Sequence, residues 1–154
     1  MGFLRRRRRE PQDEPPRKPP GSALAAAISE GWNGLPWGAT IPQFWTRFPD
    51  AAQRDGGWWV TGQGPESFCG LVMDAQYAFN ADDQLYMVCF YPEVADRERL
   101  SPAVLNALGA PDGTATLWTV GDVVVEVKVA VVIAAMTHRR FAMKSRRPAA
   151  TLRS

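Results

Sequence analysis

Residues Cys69 to Tyr91 read C-G-L-V-M-D-A-Q-Y-A-F-N-A-D-D-Q-L-Y-M-V-C-F-Y. How their two halves pair decides the fold. From Cys69 to Phe79 the odd positions are Cys69, Leu71, Met73, Ala75, Tyr77 and Phe79, while the even positions include Gly70, Asp74 and Gln76. That period of two is a strand with one apolar face. Asn80-Ala81-Asp82-Asp83 reads as a turn, because Asn and Asp side chains bond local backbone. Leu85 to Tyr91 is the return strand, with Leu85, Met87, Cys89 and Tyr91 on its odd face.

Apolar faces must match across a hairpin, and a slip of one residue turns a strand over. Pairing odd with odd predicts Phe79 opposite Leu85, Tyr77 opposite Met87 and Ala75 opposite Cys89. Two consequences follow. Cys69 and Cys89 lie roughly 20 Å apart at about 3.3 Å per residue, too far for a disulfide, so both are expected as free thiols. Tyr86, Val88 and Phe90 fall on the second face. An apolar second face needs a cover, so these three, together with Trp37, are the candidate interaction surface.

Upstream lies Gly31 to Pro49, G-W-N-G-L-P-W-G-A-T-I-P-Q-F-W-T-R-F-P. Thr40-Ile41-Pro42-Gln43 fits a capping box, and Pro is tolerated in a first helical turn. Ile41, Phe44, Trp45 and Phe48 then share one helical face before Pro49 stops the helix. The aromatics read as the core side of a short helix, with a ligand-facing cluster as the alternative. Before them, Ser22 to Glu30 is an Ala-rich helix capped by Ser22. Gly57 to Thr61 is a short strand.

Downstream, Ser101-Pro102 opens a helix that carries Val104, Leu105 and Leu108 on one face and ends at Gly109 and Pro111. Thr114 to Val120 is a strand, Gly121-Asp122 a two-residue turn, and Val123 onward a single long strand fading near Met136. This turn pairs Val120 with Val123, Trp118 with Val125 and Thr116 with Val127. The whole is an α+β fold, with short helices packed on one face of an antiparallel sheet. The order admits two similar helix-plus-hairpin halves.

The chain has 154 residues and a net charge of +2, enough for one domain with a sizeable core. The charge is unevenly spread. Residues 1 to 20 and 137 to 154 are strongly basic, and the body between them holds thirteen acidic against five basic residues. The expected organisation is a disordered Pro-rich arm at 1–20, one α+β domain at 21–136 and a disordered tail at 137–154. Arg5, Arg6, Arg7, Arg8 and Arg9 in the arm, with Arg139, Arg140, Lys144, Arg146 and Arg147 in the tail, are candidate contacts to phosphates of nucleic acid or anionic lipid.

Catalytic chemistry finds little material. The single histidine is His138, so a histidine-rich metal site is out of reach. Gly62-Gln63-Gly64 has no following Lys-Ser/Thr and makes no phosphate loop. No catalytic, cofactor-binding or metal residue is assigned, and no cofactor is expected. No apolar run is long enough to span a membrane, and Arg5–Arg9 is followed by a Pro-rich polar segment rather than a signal-peptide core. A cytoplasmic location is expected.

The helix opened by Leu35-Pro36-Trp37-Gly38, the hairpin tip Phe79 to Leu85, the helix end Leu108-Gly109-Ala110-Pro111 and Trp118 before Gly121-Asp122 form a recognisable set. Over residues 33–133 it resembles small bacterial proteins of the beta-lactamase-inhibitor-protein-like topology, which the outer-membrane assembly lipoprotein BamE shares in part. The resemblance implies a binding or scaffolding role. The sequence therefore points to a non-enzymatic protein-binding module, with a protein partner or a second copy as its target. The alternative is an electrostatic binder of nucleic acid or anionic membrane through the basic ends.

Overall fold

The computed structural model describes residues 22–113 and 116–143. The arm predicted at 1–20 and residues 144–154 of the predicted tail lie outside them. The fold is α+β. In chain order the first elements are α1 (Ser22–Glu30), β1 (Gly31–Trp32), β2 (Leu35–Pro36), α2 (Ile41–Arg47), β3 (Ala52–Gln53) and β4 (Trp59–Val60). Then come β5 (Glu66–Phe68), β6 (Leu71–Phe79), β7 (Leu85–Pro92) and α3 (Leu100–Leu108). The last are β8 (Leu117–Val120), β9 (Val123–Lys128), β10 (Ile133–His138) and α4 (Arg139–Ala142). Strands β1 and β2 form a small ribbon; the others build one antiparallel sheet in the order β3-β4-β6-β7-β10-β9-β8, with β5 added to β6. The strands that follow α2 end in β7, those that follow α3 end in β10, and these two meet in the middle of the sheet.

The capping box on α2 is present: Thr40 Oγ1 accepts from the Gln43 N–H, and Gln43 Oε1 accepts from the Thr40 N–H at 2.9 Å. Phe44 and Phe48 are fully buried, whereas Trp45 remains half exposed. Phe44 packs against Trp59, Tyr77 and Phe79, so this helix plugs the core beneath β4 and β6. Ile28 of α1 and Leu100 and Val104 of α3 join the same cluster, which places α1, α2 and α3 on one face of the sheet.

The β6–β7 register departs from the expected one. Phe79 pairs with Leu85, but Ala78 then pairs with Met87, Tyr77 with Val88, Ala75 with Phe90 and Gln76 with Cys89. Tyr86 is an extra residue, a β-bulge. Its cause lies upstream. The Leu85 N–H donates to the Ala39 carbonyl at 2.8 Å, and the Gly38 N–H donates to the Leu85 carbonyl at 2.9 Å. Leu85 spends both backbone groups on the segment before α2, so the ladder with β6 resumes one residue later. Gly38 has φ +85, which suits glycine, and the ring of Phe141 packs directly over it.

Other expectations also need correction. Cys69 is not in the strand: Cys69 and Gly70, both with positive φ, form the two-residue turn between β5 and β6. Glu66–Phe68, to which the sequence pattern assigns no strand, pairs with β6. The long strand from Val123 is a hairpin folded at Val129–Val132, with Val132 at φ 49. Beyond this tip the buried phase moves from odd to even residues, Ala134, Met136 and His138. The third helix begins at Leu100 after a 3-10 segment Val94–Arg99, and no side chain caps it. Leu100 is buried there, while Leu105 is half exposed. The start of the predicted tail is also structured. Thr137 and His138 complete β10, and α4 is held by Arg139 N–H to Asp122 carbonyl and Asn80 Nδ2 to Phe141 carbonyl. The β8–β9 register matches its expectation, with Val120 opposite Val123 and Trp118 opposite Val125.

Candidate interaction surface

The bulge at Tyr86 decides which residues of β7 face the helices. Val88 and Phe90 are fully buried on the helix side. Phe90 stacks on Phe68 with ring centroids 4.4 Å apart. Trp37 is also buried; its indole N–H donates to the Ile28 carbonyl at 2.7 Å. The predicted surface of Val88, Phe90 and Trp37 is therefore core, because the register that placed Val88 and Phe90 outside is shifted by one. Tyr86 sits half-buried at the bulge itself.

The face opposite the helices is built from the complementary set. Its first row runs from Asp74 on β6 to Tyr91 on β7, with Ile133 on β10 one step past the Ala134–Phe90 pair and Lys128 on β9 opposite Ile133. Its second row is Gln76, Cys89, Ala135 and Glu126. Its third is Ala78, Met87, Thr137 and Val124. Cys89 and Ala135 are only 3% and 4% exposed, yet neither belongs to the core cluster.

Polarity is segregated on this surface. The two central strands present Met87, Cys89, Tyr91, Ile133, Ala135 and Thr137, with no charge among them. Asp74 and Lys128, both exposed, mark opposite flanks. Among the described residues neither has an ion-pair partner. Burial pushes the Cys89 thiol up to about 11 against a small downward pull from the Lys128 ammonium. Burial also raises the Tyr91 phenol, with a further contribution from Cys89. The Cys89 thiol contacts the Met87 sulfur at 3.6 Å.

A second polar cluster was not legible in the sequence. Glu66 accepts from Tyr77 Oη at 2.7 and 2.8 Å, from Asn33 Nδ2 at 2.9 Å and from Trp32 Nε1 at 3.1 Å. The Tyr77 phenol is driven well above its usual range by burial and by the Glu66 charge. A cavity of about 370 Å³ opens beside this group, lined in part by Thr61 and Gln63. Each donor here is already engaged by the one carboxylate, so the cluster works as a staple that ties the β1–β2 ribbon to β5 and β6. The only hint in the sequence was an acidic residue directly before Ser67-Phe68, masked by the neighbouring Gly64-Pro65.

His138, the single histidine, is buried between Trp37 and Phe141 at ring separations of 6.0 and 4.8 Å. Among the described residues its Nδ1 has no hydrogen-bond partner. Burial lowers its pKa, Asp122 draws it back up, and Arg140 lowers it further. Among the described residues no three His, Cys, Asp or Glu side chains gather as metal ligands. Cys69 and Cys89 are free thiols. No described helix is long and apolar enough to cross a membrane. Arg139 and Arg140 are exposed on α4. Arg5 to Arg9, Lys144, Arg146 and Arg147 lie outside the described residues.

No family model, curated protein or solved structure matches the chain.

Proposed function

We propose that this is a non-enzymatic binding module that docks a protein on the outer face of its sheet. The observation that carries the proposal is the composition of β7 and β10. A solvated face of an antiparallel sheet ordinarily alternates toward polar residues. Here two adjacent central strands turn Met87, Cys89, Tyr91, Ile133 and Ala135 outward. Their charged neighbours stand on the flanking strands, an uncharged centre within a polar rim such as protein interfaces have. The partner that fits is a flat protein surface with an apolar centre and charges of both signs at its edge. The resemblance to the beta-lactamase-inhibitor-protein-like topology points the same way, toward binding rather than turnover. The free thiols fit a reducing compartment, the cytoplasm on the sequence reading. A second reading, binding of anionic polymers or membranes, draws on Arg139 and Arg140 exposed at the start of the basic C-terminal run.

The test is a photo-reactive phenylalanine analogue placed at Tyr91 or, as a control on the helix side, at Leu105, and irradiated in cells. Protein adducts at Tyr91 and none at Leu105 are expected. Equal yields at the two positions, or none at Tyr91, would overturn the reading.

A further inference from the structure

The register of the outer face also selects its occupant. We propose that the partner is a second copy of this chain, stacked outer face to outer face about a two-fold axis that runs parallel to the strands between β7 and β10. The proposal rests on the docking role of this face and names its partner.

An axis along the strands keeps each row level and exchanges the two sides of the sheet. Strand β6 then lies over β9 of the second copy, and β7 over its β10. In the first row Asp74 meets Lys128 of the second copy, and Lys128 meets the second copy's Asp74. In the second row the Gln76 carboxamide meets the Glu126 carboxylate of the other chain, a donor facing an acceptor. Between them Cys89 and Ala135 are already nearly buried within one copy, so contact at the centre falls to the half-buried Met87, Tyr91, Ile133 and Thr137 around them. Asp74 and Lys128 each find an opposite charge and Glu126 finds an amide donor, and each pairing occurs twice, as an isologous interface requires.

The other in-plane two-fold, perpendicular to the strands, fails the same comparison. It lays each strand over itself and exchanges the first row with the third. Glu126 would face Glu126, Asp74 would sit over Ala78, and Lys128 over Val124. Like charges would oppose each other and four ions, two from each copy, would lose water without a partner, which costs more than the apolar contacts return. Self-complementarity therefore exists for only one of the two orientations.

Size sets the strength. Four strands about 4.8 Å apart and three rows about 7 Å deep give a footprint of roughly 400 Å² per copy. Doubled to roughly 800 Å² in total, it lies below the range of stable interfaces and in that of weak, transient ones, so self-association no tighter than a dissociation constant on the order of 10–100 μM is expected. Stacked sheets lie about 10 Å apart and are rotated by about 30°, an offset the long Lys128 side chain can absorb.

The experiment is sedimentation of the full chain from about 1 μM to 1 mM, a range that brackets such a constant. The wild type should pass from monomer to dimer. Asp74→Lys sets lysine against lysine, and Lys128→Asp sets aspartate against aspartate. Each single variant should weaken self-association at least tenfold, as misplaced rim charges suppress wrong pairs. An equimolar mixture of the two should form a heterodimer, since every charge again meets its opposite. The double variant Asp74→Lys/Lys128→Asp should dimerise like the wild type, a recovery that misfolding cannot imitate. A wild type that stays monomeric at 1 mM, or a mixture no tighter than its components, would overturn the proposal. The docking role is judged separately by the mass of the Tyr91 adduct. Twice the chain mass supports the second copy. Any other protein mass refutes it and leaves the docking role standing, and the absence of an adduct removes both.

Discussion

Replacing Phe90 by alanine measures the register of the central hairpin. Phe90 is fully buried, stacked on Phe68 and touched edge-on by Trp32 at 5.4 Å. Deleting a buried phenyl ring costs about 3–5 kcal/mol, covering lost transfer energy and the cavity left behind. The parallel Phe68 ring also loses an aromatic partner, so the upper half of that range applies and about 4 kcal/mol is expected. Met87 supplies the contrast. It is half-buried on the outer face, and Met87→Ala should cost at most about 1 kcal/mol, near the range of ordinary surface changes. In urea, with a slope of about 2 kcal/mol per molar, the Phe90 variant should unfold about 2 M earlier and the Met87 variant less than about 0.5 M earlier. The slope should stay constant. The opposite ranking, a mild Phe90→Ala and a severe Met87→Ala, would restore the bulge-free pairing and remove the outer face described above.

Four further outcomes are expected. Burial lowers the His138 pKa, so its contribution to stability is complete above the unfolded value of about 6.5 and is lost as pH falls through the window beneath it; the stability difference between pH 8 and pH 5 should shrink in His138→Phe, and an unchanged difference would show that this imidazole is not held neutral. Burial raises the Cys69 thiol to about 12 and the Cys89 thiol to about 11, so at pH 8 a thiol reagent should react slowly with native protein and should titrate both cysteines after unfolding without reductant; fewer than two thiols would contradict the pairing of Cys89 with Gln76. Tyr77→Phe takes away the hydroxyl that donates to Glu66 and should cost about 1–3 kcal/mol in chemical denaturation; a loss under about 0.5 kcal/mol would mean that Glu66 simply turns to water. Removing residues 1–20 and 144–154 together with Arg139→Ala and Arg140→Ala should abolish any binding to DNA, RNA or anionic vesicles, because the remaining acidic body repels phosphate at long range; persistent binding in gel shift or vesicle flotation would exclude the terminal charges as its source.

Local rules carried much of the architecture. The capping box at Thr40, the burial of Phe44 and Phe48, and the Val120–Val123 turn each depend on residues a few positions apart, and each formed as the pattern indicated. The failures share another cause. Period-two alternation marks a strand but does not show where it folds, since both arms of a hairpin alternate alike. Val123 to Met136 therefore read as one strand, although its tip at Val129–Val132 contains no glycine, proline or asparagine. The Glu66 staple joins residues 33, 66 and 77, whose approach is created only by the fold. The outer face was misassigned through a single residue. Both strands of the central hairpin were found, their turn was found, and the first pair, Phe79 with Leu85, was right.

That single residue links two surfaces that sequence patterning treats as independent. Without a bulge, Met87, Cys89 and Tyr91 would face Phe68 and Trp32, while Val88 and Phe90 would look outward. The hairpin alone does not choose between these arrangements, because both faces of Leu85 to Tyr91 are apolar enough to be buried. The choice falls to the Pro36–Thr40 segment, which captures both backbone groups of Leu85 and is itself fixed by the glycine conformation at Gly38 under the Phe141 ring. The turn that positions α2 on the inner side thereby selects the side chains of β7 on the outer side. A side chain at Gly38 would need a strained positive φ and would strike Phe141. It would loosen the turn and release Leu85 together. Its effect on the outer face would reach beyond local packing, because once Leu85 is free to pair with β6, the phase of the whole return strand is free to change with it.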